Sequence, residues 1–114
     1  MTSSRKAAIQ AYKERKTPRG IFAVRCLATG TVWVDHAMDL GAAENKTWFV
    51  LPRGDRSLDP EIFVEFRAHG AESFRYEILE KFDDDVAPLA LRDLLKERKL
   101  HWLGQLNARR LSPA

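Results

Sequence analysis

The sequence predicts an α+β fold: a three-stranded antiparallel-type sheet flanked by helices, with an extra helix at the N-terminus. Two β-rich runs, residues 21–27 and 31–35, stand on either side of the short Gly-containing loop Ala28-Thr29-Gly30, which is the pattern of a hairpin. A later run, residues 73–82, alternates apolar Phe74, Tyr76 and Ile78 with polar Arg75, Glu77 and Glu80, the period of a half-buried strand. The remaining segments carry helix caps and helical spacing. A hairpin followed by one later strand, without repeated strand–helix alternation, gives an α+β rather than a doubly wound arrangement.

Size and composition bound the answer. The chain has 114 residues, 45% hydrophobic and 31% charged, enough for one modest core and too short for two. No apolar run approaches the roughly 18–20 residues of a membrane-spanning helix. The N-terminus is basic but has no apolar h-region, so the expected location is the cytoplasm. A single cysteine, Cys26, excludes an internal disulfide framework, and no Cys/His cluster has zinc spacing.

Taken in order, Ser3 or Ser4 caps a helix that ends near Lys16, with Ala8, Ile9 and Tyr12 as a thin apolar stripe. Thr17-Pro18-Arg19-Gly20 breaks it before the hairpin. Residues 39–51 read as a helix capped by Asp39 and ended by Pro52-Arg53-Gly54-Asp55. Asp59 and Pro60 open the next helix at cap and first turn, and Gly70 closes it. Asp83-Asp84-Asp85 forms a turn into the longest helix, residues 86–107, with Leu91, Leu94, Leu95, Trp102, Leu103 and Leu106 towards the core. The expected organisation is a basic N-terminal helix over 1–17, a domain over 18–108 and a flexible tail over 109–114.

Charge is distributed in blocks. Residues 1–25 carry seven basic side chains against Glu14, a net +6; residues 26–91 carry a net −7, and residues 92–114 a net +4. Basic blocks flanking a domain fit nucleic-acid binding, because each neutralised phosphate releases counterions. They equally fit solvated helix faces. Trp33, Trp48, Trp102, Phe22, Phe49 and Phe66 sit at strand and helix spacing and are expected in the core. Cys26 is expected as a small buried hydrophobe.

Gly20-Ile21-Phe22 followed by Trp33-Val34-Asp35 resembles the paired GIY and YIG strands of the GIY-YIG nuclease family, and the step of eleven from Phe22 to Trp33 suits the family's tyrosine spacing. Asp39-Leu40 is similar to the start of its first core helix. Residues 65–70 with Phe74, Ile78, Leu79 and Glu80 resemble its "W-x-x-x-G … F-x-x-x-I-L-E" passage, and His101-Trp102-Leu103 its closing "Y-W-I". The resemblance spans residues 18–107. It implies a GIY-YIG-like fold and a phosphodiester chemistry in which a tyrosine helps deprotonate a water, an arginine meets the developing charge, and a glutamate holds one divalent metal.

At those positions the resemblance places other residues. The first tyrosine is Phe22, which has no hydroxyl, and the second is Trp33, whose indole N–H only donates. The last glycine of the second motif is Asp35. The arginine position falls on Ala43 and the metal-binding glutamate on Lys99, whose ammonium repels a divalent cation. The resemblance also implies that Phe22 and Trp33 line the cleft. His36 and Lys46 are the candidate substitutes, one titrating near neutrality and one sharing a helix face with Ala43. Glu77 and Glu80, three apart on a strand, are expected on opposite faces and so make no metal pair.

The reading that follows is a catalytically inactive GIY-YIG-like domain binding DNA or RNA through its basic terminal helices and the former active-site cleft. Arg19, Arg25, Lys46, Arg92, Lys96 and Lys99 are the expected contacts, with no metal or other cofactor and no membrane partner. Two alternatives stand beside it. One is a protein- or small-molecule-interaction module of the same fold. The other is a divalent-metal-dependent DNA endonuclease with relocated residues, for which Mg or Mn would be needed.

Overall fold

In the computed structural model, which describes residues 18–82 and 86–112, the hairpin forms where the alternation places it. Strand β1 spans Arg19–Cys26 and β2 spans Val32–Ala37, paired antiparallel with Phe22 opposite Asp35 and Val24 opposite Trp33. The turn closes with Cys26 N–H donating to the Thr31 carbonyl at 2.9 Å and Gly30 N–H to the Cys26 carbonyl at 2.8 Å. Gly30 takes φ +79°, a conformation that glycine reaches without steric cost.

Helix α1 is Leu40–Val50, and Asp39 caps it by accepting from Ala42 N–H at 2.9 Å. Helix α2, Pro60–His69, has Asp59 at its cap and ends at Gly70 with φ +81°. One 3₁₀ turn, Ala71–Ser73, leads into β3, Phe74–Phe82, which pairs antiparallel with the other edge of β1. Helix α3, Pro88–Gln105, follows. The expected N-terminal helix and the Asp83-Asp84-Asp85 turn lie outside the described residues.

The sheet has four strands rather than three. Arg109–Arg110 form β4, parallel to β2, giving the order β3-β1-β2-β4. The segment expected as a loose tail is therefore docked as far as Ser112. Leu111 is 1% exposed in the core, and its N–H donates to the Val34 carbonyl. The buried Leu111 side chain, rather than the two exposed arginines beside it, holds the segment in place.

Strand alternation divides the core between the two sheet faces. Phe22, Val24, Cys26, Trp33 and Phe74 pack with α1 and α2 through Leu40, Val50, Ile62 and Phe63. Ile21, Ala23, Val32 and Val34 pack with α3 through Leu91 and Leu95, with Trp102, Leu103 and Leu106 partly buried against them. Each valine, leucine, isoleucine or phenylalanine among them that is taken fully from water contributes roughly 1.5–3 kcal/mol. Leu94 is only partly covered, and Phe49, expected inside, is 60% exposed beneath the Arg53 guanidinium.

A β-bulge changes one expectation. Phe22 faces Ile78 but Ile21 faces Glu80, so Leu79 is an extra residue in β3. Glu77, opposite Ala23, and Glu80, opposite Ile21, consequently share the α3 face instead of lying on opposite faces. Each is engaged there: Glu77 with Arg25 at 2.5 Å, Glu80 with Arg98 Nε and Trp102 Nε1, both at 2.9 Å. Beside the bulge the β3 backbone lies close against Gly20, where a Cβ would stand 1.8 Å from the Glu80 carbonyl oxygen.

Candidate nucleic-acid interface

The hairpin, α1, α3 and the C-terminal segment converge on a cleft of about 380 Å³. Its floor is Phe22 on β1 with Asp35 and His36 on β2. Ala43, Lys46 and Thr47 of α1 form one wall, Lys99 of α3 stands at another, and Leu58, Leu111 and Ser112 complete it. The helical spacing of Ala43, Lys46 and Thr47 puts all three on one side of α1. Of the positions singled out from sequence, Phe22, Ala43, Lys99, His36 and Lys46 are thus brought together.

Trp33 is not among them. It is fully buried beneath the α1–α2 face, parallel to Phe74 with ring centres 6.2 Å apart. Its indole N–H donates to Asp59 Oδ2 at 2.9 Å, and Arg109 Nε donates to the same oxygen at 2.7 Å. The Arg109 hydrogen bond, more than any other influence, holds the Asp59 carboxyl below the usual aspartate range. The second motif's aromatic is therefore a core residue that ties the α2 cap to β4. The expectation that it lines the cleft does not hold.

Phe22 stacks on Tyr76 at 5.1 Å. That tyrosine is a hydroxyl the sequence reading passed over, but it donates to the Leu40 carbonyl at 2.7 Å, and burial raises its pKa beyond the ordinary phenol range. It is a committed donor rather than a base.

The cleft's electrostatics centre on Asp35, which stands where the resemblance expects glycine. It is 9% exposed, accepts the Ser112 hydroxyl at 2.5 Å and the His36 backbone N–H at 2.8 Å, and lies 3.6 Å from Lys99 Nζ. His36 Nδ1 is buried without a hydrogen bond among the described residues, 3.4 Å from the same carboxylate. Burial lowers the His36 pKa, Asp35 opposes the shift, and Lys99 adds to it. The imidazole is neutral at pH 7, leaving two lysines against one aspartate.

A divalent ion does not fit these side chains. Lys99 occupies the position that the resemblance assigns to the metal-holding glutamate, and its ammonium stands beside the Asp35 carboxylate. Among the described residues no three His, Cys, Asp or Glu side chains gather in one group.

The other predicted cations divide. Arg19 and Arg92 line a second cavity of about 330 Å³ with Met38, Leu91 and Leu95, and His36 borders both cavities. Lys96, exposed one turn beyond Arg92, continues that side of α3 towards Lys99. Arg25 does not join them, being held by Glu77 on the sheet. A larger cavity, about 470 Å³ between the end of α1 and α2, contains none of the candidate site residues.

Asp35, Thr47, Leu58, Leu111 and Ser112 are the cleft residues that sequence reasoning missed as a group. Only Asp35 gave a signal, as a side chain in a glycine position.

No protein-family model matches the chain, and no curated protein does. Among solved structures, the catalytic domain of the homing endonuclease I-TevI, a GIY-YIG enzyme, superposes with a TM-score of 0.68 at 26% identity, over 84% of this chain and 98% of that one. A mutant form of the same intron-endonuclease domain gives 0.69 at 24% identity, over 86% and 95%.

Proposed function

The chain has a GIY-YIG-like fold, and from that premise we propose that it has exchanged phosphodiester hydrolysis for metal-independent binding of nucleic acid in the cleft. The observation that carries the reading is the Lys99 ammonium, lining the same cleft as Lys46, in the position that the resemblance gives to a metal-binding carboxylate. An ammonium there serves as the cation itself, attracting a phosphate without recruiting an ion. The endonuclease identity of the similar structures makes a nucleic acid the natural ligand.

Loss of hydrolysis follows from the same side chains. Phe22 offers no proton acceptor, Ala43 offers no charge to a developing phosphorane, and Tyr76 is already committed. Removing even one electrostatic stabiliser commonly lowers rate by about 10²–10³. Affinity would come from Lys46 and Lys99 in the cleft, extended by Arg19, Arg92 and Lys96. Each phosphate neutralised on duplex DNA contributes about −0.9 to the slope of log K against log salt.

Short labelled single- and double-stranded DNA and RNA, titrated at several salt concentrations, test this. Saturable binding with a steep salt slope that flattens in Lys99→Glu is expected. Salt-insensitive or absent binding at low ionic strength would overturn the reading and favour a protein-interaction module.

A further inference from the structure

Lys99 is held less firmly than the residue that neutralises it. Its Nζ stands 3.6 Å from Asp35 Oδ1, beyond the roughly 2.7–2.9 Å of a charge-assisted hydrogen bond, and it makes no hydrogen bond among the described residues. Asp35, by contrast, has two neutral donors of its own. Oδ1 accepts the His36 N–H at 2.8 Å and Oδ2 accepts the Ser112 hydroxyl at 2.5 Å. If Lys99 turned to another anion, the Asp35 carboxylate would keep both hydrogen bonds and would not be left bare.

We propose that Asp35 is a built-in competitor for the cleft's anion seat, a carboxylate that occupies Lys99 until a phosphodiester monoanion of a nucleic-acid backbone displaces it. The inference rests on the binding function proposed above and adds how that site is regulated. Charge matches the choice of ligand. With His36 neutral, Lys46 and Lys99 against Asp35 leave the cleft one positive charge, the complement of one phosphodiester rather than of a doubly charged terminal phosphate. The exchange is an ion-pair swap in which no covalent bond changes.

A merely positioning Asp35 and a competing Asp35 predict opposite signs. Asp35→Asn retains an acceptor for the His36 N–H and a polar partner for Ser112, but it releases Lys99. Binding of short fluorescein-labelled duplex DNA is expected to tighten roughly two- to fivefold, as for release of one ion pair that lacks a hydrogen bond. The salt slope should steepen by about one phosphate equivalent. Asp35→Ser serves as the second variant, with the same expectation, should the asparagine chain fail to fold. Lys99→Gln should weaken binding and abolish the gain when combined with Asp35→Asn. Unchanged or weaker binding by Asp35→Asn, with the parent chain binding, would overturn the competitor and leave the binding function standing. Binding by Asp35→Asn with none by the parent chain at low ionic strength would overturn the binding function and, with it, the competitor that rests on it. If neither the parent nor either variant binds, both proposals fall.

Discussion

Replacing Asp59 with alanine removes in one step the link between Trp33, β4 and the start of α2. The Trp33 indole N–H, fully buried, loses its acceptor at 2.9 Å, and an orphaned buried donor costs about 1–3 kcal/mol. The α2 cap loses its side-chain acceptor. That bond to Glu61 N–H is long, 3.4 Å, so the low end of the capping range, about 0.5–1 kcal/mol, applies. The Arg109 pair is solvent-screened and adds little. Because the contacts share one carboxylate they are not strictly additive, and the net loss should be about 1.5–4 kcal/mol. For a domain of this size that lowers the thermal midpoint by roughly 6–25 °C. Calorimetry of Asp59→Ala, Asp59→Asn and Trp33→Phe, with the Ala–Phe double mutant, would measure it. Asparagine, which keeps an acceptor, should cost less than alanine, and the double mutant should lose less than the two single changes added together. An Asp59→Ala midpoint within a few degrees of the parent would refute this account of Trp33 as an anchored core residue.

Four further outcomes follow from the same contacts. Leu111→Ala should destabilise by about 2–5 kcal/mol in chemical denaturation, the range for a buried leucine, whereas a loose tail would tolerate it. Gly20→Ala should prevent normal pairing of β1 with β3, since its Cβ meets the Glu80 carbonyl at 1.8 Å, and amide exchange across that ladder would report it. The Asp59 pKa is depressed in the fold, so its stabilising contribution is complete above the ordinary aspartate value of about 3.9 and fades as pH falls through the lower folded value. The stability gap between parent and Asp59→Asn should therefore narrow only in acid. His36 is held neutral by burial, with Asp35 and Lys99 facing it, so nucleic-acid binding should strengthen below its ordinary pKa of about 6.5, and His36→Gln should remove that rise.

The hairpin, α1, α2 and β3 were legible because each carries its own local signal: Gly30 at the turn, Asp39 and Asp59 with Pro60 at the helix starts, and clean alternation from Phe74. Strand β4 carried none. Two residues show no period, and Arg109–Arg110 are exposed even in the fold, so only the buried Leu111 marks the docked segment. The bulge at Leu79 was equally hidden, since counting by twos presumes an uninterrupted ladder, and it moved Glu80 onto the α3 face. At the cleft, spacing along α1 and position in the motifs brought forward Phe22, Ala43, Lys46 and Lys99. Strand spacing put Trp33 in the core, where it is, while the resemblance put it in the cleft, because a motif position says nothing of an Asp59 acceptor 26 residues away. The role of Asp35 depends on Ser112, 77 residues on, and only the folded chain puts the two together.

The exchange of catalysis for binding is tested most directly by incubating the parent chain with labelled DNA and RNA, with magnesium or manganese and with a chelator, following binding and strand integrity in the same samples. Equal, salt-sensitive binding in both conditions with every strand intact is the predicted result. Strands cut only when the divalent ion is present would contradict it.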